Sequence, residues 1–500
     1  MMKKYFRDIP CGKSLPFDNP HAVSVNLPTI ADVIAYEEED PVLRNRLESA
    51  YPRFCTNPTL EKACCHVRNK YEIDNSIELH PISSEKAFNL IEKNTEISFG
   101  KITAGNLNLV AIERDSPQSE IVKTFIQNTG MIPSSRLAED YLIEAGVMKK
   151  EFRESREKAE YAESVTKRVL AEAYEMAAPD DVFLCTAGMN AVFSAYDSIK
   201  EKAALNGRYI FVQVGWLYLD SMEIIKKYSK ESFLYFTPLQ LDELESFINA
   251  NHEKIAAVFT EVPNNPSIQC FDLPRLSSIA KRYGIAVVID STMSTPYNVN
   301  VFPYADIAVE SLTKYACGHG DVLMGAVVLN SSSSLAMELK QSVSWRCQKP
   351  YIKDIMRIAY EIKGYAERVD IVSRNTAVLV EWLSRQKKII KLNWVMDELS
   401  CENFLRIRKT ETSLPGLVSL VFDKDLHYYY DKLKMPKGPS LGTGFTIAMP
   451  YVYLAHYDMI KTPEGKKQII EHGINPELLR ISVGTENPVE IITALEDMLK

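Results

Sequence analysis

Between about Asp181 and Asn330, short apolar runs alternate with segments that carry apolar residues at helical spacing. D-V-F-L-C-T from Asp181, R-Y-I-F-V-Q-V from Arg208, K-I-A-A-V-F-T from Lys254, I-A-V-V-I-D ending at Asp290, I-A-V-E-S-L from Ile307 and G-A-V-V-L-N ending at Asn330 predict buried strands. The runs are apolar throughout rather than alternating, which requires a sheet covered on both faces. L-P-R-L-S-S-I-A-K-R-Y-G from Leu273 has helical spacing and stops at Gly284, so the unit is strand, helix, strand. The predicted fold class is α/β, with a mainly parallel sheet flanked by helices.

Upstream, a charged stretch from Lys149 to Ala178 predicts a helix ended by Pro179, and the region from Asp74 to Pro133 has weak periodicity and no assigned fold. Downstream, a helical pattern spans Tyr351 to Gln386, and L-V-S-L-V-F and L-L-R-I-S-V predict strands of a separate α+β domain. The last helix is predicted to start with Asn487 as cap and Pro488 at its first position. The expected units are residues 1–73, 74–133, 134–335 and 336–500.

A chain of 500 residues exceeds the roughly 150 expected per domain, which agrees with several units. Lys plus Arg number 58 against 66 Asp plus Glu, a net charge of -8 with no basic tract, so no nucleic-acid partner is expected. The nine cysteines form no C-x-x-C pair, and no run approaches the ~18 apolar residues of a membrane span. A cytoplasmic, reduced protein without a membrane partner is the expectation.

In open α/β sheets ligands bind beyond the carboxyl ends of the strands, and three such ends stand out. After D-V-F-L-C-T comes A-G-M-N, where the amides of Gly188 and Met189 open a helix N-terminus suited to an anion. Asp290 ends a buried strand, where a carboxylate needs a cation or strong donors; the following turn S-T-M-S-T could also satisfy it. In S-L-T-K-Y-A-C-G-H-G-D, Ser311 and Thr313 lie two apart on an extended chain and share a face, and Lys314 follows where a desolvated amine could act on carbonyls. An anion turn, an acid, two hydroxyls and a lysine together fit pyridoxal 5'-phosphate (PLP), whereas G-x-G-x-x-G and P-loop motifs are absent. A zinc site at Cys64, Cys65 and His66 lacks a second ligand pair.

These motifs resemble the Cys/Met-metabolism family of PLP enzymes. V-V-I-D-S-T-M-S-T-P-Y, S-L-T-K-Y-A-C-G-H-G-D-V-L-M-G-A, E-V-P-N-N-P at Glu261–Pro266, S-L-G at Ser440–Gly442 and L-R-I-S-V-G around Arg480 carry the likeness. P-H-A-V-S-V-N-L-P-T from Pro20, A-Y-P-R-F from Ala50, S-S-R-L-A-E from Ser134 and P-S-L-G-T-G-F-T-I-A-M-P-Y-V-Y-L-A-H-Y from Pro439 are similar to the long, fungal-type cystathionine γ-synthases. The resemblance implies a type I, aspartate-aminotransferase-like PLP transferase fold with a smaller α+β C-terminal domain. It implies that Lys314 forms the Schiff base and moves protons, that Asp290 pairs with the ring nitrogen, and that Ser311, Thr313, Gly188 and Met189 bind the phosphate. Tyr218 would stack on the ring, although Leu219 and Asp220 stand where the family has two glycines. Tyr51 and Arg53 match a Y-x-R that reaches a neighbouring subunit's phosphate, which implies a homodimer or homotetramer with shared sites. Arg480 would hold the substrate α-carboxylate, helped by Ser440 and Asn265. Phe445 stands where a glutamate is common, leaving substrate choice open.

The implied reaction is γ-replacement on an O-acyl- or O-phospho-homoserine by cysteine, giving cystathionine in methionine biosynthesis. Elimination by a γ- or β-lyase, replacement by sulfide or carbon, and an inactive protein of the same fold are the alternatives; the intact Lys314, Asp290 and Arg480 argue against the last.

Overall fold

The computed structural model describes residues 5–52, 55–229 and 233–500. Residues 74–133 carry a small sheet whose apolar residues pack with those of the large sheet, Phe88 and Phe125 sharing a core with Phe193 and Phe259. Strands β1 (Ile77–Ile82), β2 (Gly100–Ala104) and β3 (Leu107–Glu113) form an antiparallel sheet in the order β1-β3-β2, flanked by helices Glu85–Thr95 and Pro117–Thr129. Its pattern was weak because β1 carries Pro81 and β2 is mostly exposed, so neither run alternates cleanly.

The large sheet contains β4 (Val182–Cys185), β5 (Ile210–Val214), β6 (Phe233–Phe236), β7 (Ile255–Glu261), β8 (Ala286–Asp290), β9 (Ile307–Ser311) and β10 (Gly325–Leu329) in the order β4-β10-β9-β8-β7-β5-β6. Among the described strands β10 runs against the other six, so the carboxyl ends of those six share one edge. Successive residues serve opposite faces: Val258, Val287 and Ile289 join one core, while Ala257, Phe259 and Val288 join the other. This two-sided burial is the reason the strand runs are uniformly apolar. Helix Leu273–Arg282 begins with the Asp272 side chain accepting from the Arg275 amide and buries Leu273, Leu276, Ile279 and Ala280 against the sheet.

The second domain is built on β11 (Ile389–Asn393), β12 (Leu417–Phe422), β13 (Ile447–Pro450) and β14 (Leu479–Ser482), antiparallel in the order β11-β12-β14-β13. Asn487 caps helix Pro488–Leu499 as expected. The N-terminal segment belongs to this body: Val25, Leu27, Ile30 and Val33 are buried with Leu420, Tyr430 and Ile481.

Two helical expectations are corrected. Residues 149–158 are irregular and the helix covers only Ala159–Tyr174, because Glu154 is drawn into a two-pronged bond with Arg136 at 2.6 and 2.7 Å and the Glu157 amide donates to the Met356 carbonyl. The stretch from Tyr351 is two helices, Ile352–Glu361 and Tyr365–Leu383, separated by a tighter turn ending at Gly364.

Inside the large domain, buried Glu310 accepts hydrogen bonds from Tyr174 (2.8 Å) and Tyr365 (2.7 Å). Burial pushes its carboxyl up to about 7, against two favourable bonds and assisted by the nearby Asp290 charge. Below about pH 4.5 the group is protonated in both folded and unfolded chains; as pH rises toward 7 the unfolded chain ionises first, so stability falls by about 3 kcal/mol. Urea unfolding at stepped pH is expected to show this decline flattened in Glu310→Gln relative to the parent. Equal slopes in both proteins would refute it.

Candidate active site

A cleft opens where the carboxyl edge of the large sheet meets the second domain. Asp290 closes β8, Ser311 closes β9, the turn Thr186–Gly188 follows β4, and Tyr218 follows β5. Ser440 and Arg480 face them from the second domain, and Tyr51 enters from the N-terminal segment.

Helix Gly188–Ala204 has no side-chain cap, so its first amides are left for another acceptor. Gly188 is required by space, since a Cβ there would lie 2.7 Å from the Cβ of Ser311. Ser311 and Thr313 both line the cleft, but the shared strand face is not found: β9 ends at Ser311 and residues 312–314 turn. The Thr313 hydroxyl donates to the Met324 carbonyl at 3.2 Å and accepts from its amide at 3.0 Å. Asp290 Oδ1 accepts from the Thr292 amide at 2.9 Å, and burial raises the carboxyl despite this bond. Its register partner Glu261 is buried, its carboxyl is raised by burial and by the Asp290 charge, and it receives the Tyr218 amide at 2.5 Å. A half-buried acid beside a buried one stays ionised only with a cationic N–H or strong donors as its partner.

Lys314 Nζ lies 3.0 Å from Ser440 Oγ and 3.1 Å from the Tyr51 hydroxyl, inside the cleft. Burial favours the neutral Tyr51 phenol, but the Lys314 charge and a hydrogen bond with Tyr218 outweigh it and lower the phenol's pKa. Arg480 is fully enclosed: Nη1 donates to Asn265 Oδ1 at 3.1 Å and Nη2 to the Ser440 carbonyl at 2.8 Å. The guanidinium also sits 5.3 Å over the Tyr451 ring, and its Nε is buried without a partner among the described residues. Ser440, at φ 108°, thus holds the lysine with its hydroxyl and the arginine with its carbonyl.

Tyr51 departs from the expectation of service to a neighbouring subunit, because it meets Lys314 of its own chain. The segment is held there by Asn19 Nδ2 on Asp321 (3.0 Å) and by the Val23 amide on the Gly320 carbonyl (2.9 Å). Arg53 lies outside the described residues. Phe445 is also relocated: it stacks on Tyr5 at 4.7 Å and does not line the cleft, so it cannot replace a cleft glutamate by contact. Sequence reasoning missed Met449, whose sulfur accepts from Arg480 at 3.0 Å, and Tyr451. Both lie inside the quoted P-S-L-G to A-H-Y stretch, so the signal was present but undivided. Gln127 and Ile132 also line the cleft and had no sequence signal.

The sheet order, the uncapped helix amides, the acids at the strand ends and the enclosed lysine define a PLP-dependent enzyme of the aspartate-aminotransferase-like fold. The residues present could hold that group: the amides of Gly188 and Met189 with Ser311 would take the phosphate, Asp290 a protonated ring nitrogen and Lys314 the aldehyde. A model of the Cys/Met metabolism PLP-dependent enzymes matches residues 113–500, and the chain belongs to that family. It is 34% identical over 480 residues to an L-2-amino-4-chloropent-4-enoate dechlorinase/desaturase of Streptantibioticus cattleyicolor, covering 95% of this chain and 96% of that protein. Cystathionine gamma-synthase of Saccharomyces cerevisiae is 24% identical, over 95% of this chain and 96% of its own. A putative O-acetylhomoserine (thiol)-lyase of Campylobacter jejuni, solved with N'-pyridoxyl-lysine-5'-monophosphate, superposes with a TM-score of 0.58 at 20% identity, covering 68% of this chain and 86% of that one.

Proposed function

We propose that the protein catalyses PLP-dependent γ-replacement on an activated homoserine, with cysteine as nucleophile and cystathionine as product. The observation that carries the reading is the double engagement of Ser440, which sets the proton-moving amine of Lys314 and the carboxylate-binding guanidinium of Arg480 at a fixed separation. That spacing suits an α-amino acid whose Cα proton must face the lysine. When bound, PLP supplies an aldehyde for amines and a ring that withdraws electrons from Cα and Cβ. Asp290 would hold the ring nitrogen protonated. Lys314 would take the Cα proton and return it, with Ser440 Oγ and the Tyr51 hydroxyl orienting Nζ. Arg480 would clamp the α-carboxylate through its unused Nε, with Asn265 and the Ser440 carbonyl keeping the guanidinium planar to the site. Tyr218 would cover the ring face.

A second reading is elimination of the γ-substituent without capture of a thiol, favoured by the 34% identical dechlorinase/desaturase, which aligns over nearly the whole of both chains. Both readings place the site chemistry at Cγ of an amino acid. The free cysteines fit a reducing compartment such as the cytoplasm, and a homodimer or homotetramer belongs to the same reading.

Product analysis of the PLP-loaded protein with acetyl-, succinyl- and phospho-homoserine and with 2-amino-4-chloropent-4-enoate, each with and without cysteine, decides between them. Cystathionine formed only with cysteine is the expected result. Keto acid and ammonia from the esters, or chloride release independent of cysteine, would transfer the assignment to elimination.

A further inference from the structure

The unit at residues 74–133 is not used by any step above, yet its last helix ends on the phosphate-binding turn. Helix Pro117–Thr129 terminates at Gly130, in the left-handed region at φ 63°. From there the Gly130 carbonyl accepts the Thr186 hydroxyl at 2.9 Å, and the Thr129 carbonyl accepts Asn190 Nδ2 at 3.4 Å. Thr186 and Asn190 bracket the turn Ala187–Met189. A Cβ at Gly130 would lie 2.8 Å from the Asn190 amide nitrogen, 2.9 Å from the Ala187 Cβ and 3.2 Å from the Met189 Cβ, so the backbone of the unit rests directly on the turn.

A second grip comes from the start of the same unit. Ser84 Oγ donates to Gln348 Oε1 at 2.6 Å, the Gln348 carbonyl accepts the Thr186 amide at 3.1 Å, and its own amide donates to Asn190 Oδ1 at 2.9 Å. The Ser83 amide closes the loop on the Met131 carbonyl at 3.0 Å. Both ends of the unit therefore converge on two residues, Thr186 and fully buried Asn190, and the turn between them has Ser311 packed against its other side. Oriented amides bind an anion well only when they are held in place before it arrives.

We infer that the 74–133 unit positions the phosphate-binding turn through Gly130, so that the contact sets the affinity for the cofactor phosphate. Gly130 is a positioning residue, and the inference rests on the assignment of PLP to this cleft.

The test is titration of apo-protein with PLP followed by absorbance, together with the 31P chemical shift of the bound phosphate. Gly130→Ala is expected to weaken PLP binding about 10-fold or more, the size of one lost hydrogen bond to a charged group, and to move the 31P signal. Thr186→Val, which removes a single neutral hydrogen bond and no backbone, is expected to weaken it about 2- to 12-fold. Gly105→Ala is the control: it carries the same left-handed strain at φ 58° in the same unit, but its Cβ would meet nothing closer than 3.8 Å, so affinity stays at the parent value. In Gly130→Ala, saturating PLP restores kcat. Unchanged affinity and 31P shift in folded Gly130→Ala would overturn the inference; if that variant does not fold, unchanged affinity in Thr186→Val overturns it. A parent protein that takes up no PLP would instead sink the cofactor assignment.

Discussion

Lys314→Ala is expected to lose about 10^4 in turnover, the upper range for removal of a positioned general acid–base. The amine is enclosed with Ser440 Oγ at 3.0 Å and Tyr51 at 3.1 Å, and neither hydroxyl can replace it: a serine hydroxyl is too weak a base and Tyr51 belongs to the same hydrogen-bonded set. The variant should still bind PLP through the turn at Gly188, but as the free aldehyde, with a changed visible spectrum. Borohydride reduction followed by peptide mapping checks the point: the parent carries the pyridoxyl label on the peptide containing Lys314, and the variant carries none. Turnover at the parent rate would remove Lys314 from the mechanism.

The second large effect is expected at Arg480. Truncation to Ala deletes a buried cation and strands the Asn265 amide oxygen and the Ser440 carbonyl, which it now satisfies at 3.1 and 2.8 Å. Losing one member of a buried, hydrogen-bonded charge pair with the substrate carboxylate costs about 2–5 kcal/mol, or about 30- to 5000-fold in kcat/KM. The α-carboxylate is held equally before and during proton transfer, so most of the loss should fall on KM rather than kcat. Arg480→Lys should recover only part of it, since an ammonium has no planar fork and burial already disfavours charge at this position. Steady-state kinetics on both variants decides this; an unchanged KM would show that the carboxylate is bound elsewhere.

Much of the site was legible because its residues end strands. Asp290, Ser311 and Gly188 follow apolar runs whose termini a sequence displays directly, and the carboxyl ends of parallel strands necessarily gather at one edge. The family resemblance then pointed to Arg480, Ser440 and Asn265, which by residue type alone look like ordinary strand and turn positions and which the structure brings into the same cleft. What stayed hidden were contacts across long chain separations. Glu154 leaves a helical pattern to pair with Arg136, Phe445 turns to Tyr5, and Tyr451 lies over Arg480, none of which any local periodicity encodes.

By itself, then, the chain determined the alternation of strands and helices, the two-sided burial of the large sheet and the identity of the strand-end chemistry. These depend on side-chain period and on chain direction, both local properties. Only the tertiary structure decided that Tyr51 meets the lysine of its own chain, that Ser440 joins lysine to arginine, and that Gly130 closes on the phosphate turn. Each is a meeting of segments 40 or more residues apart, selected by the packing of whole elements and by the space a glycine leaves, and no pattern within either segment records it.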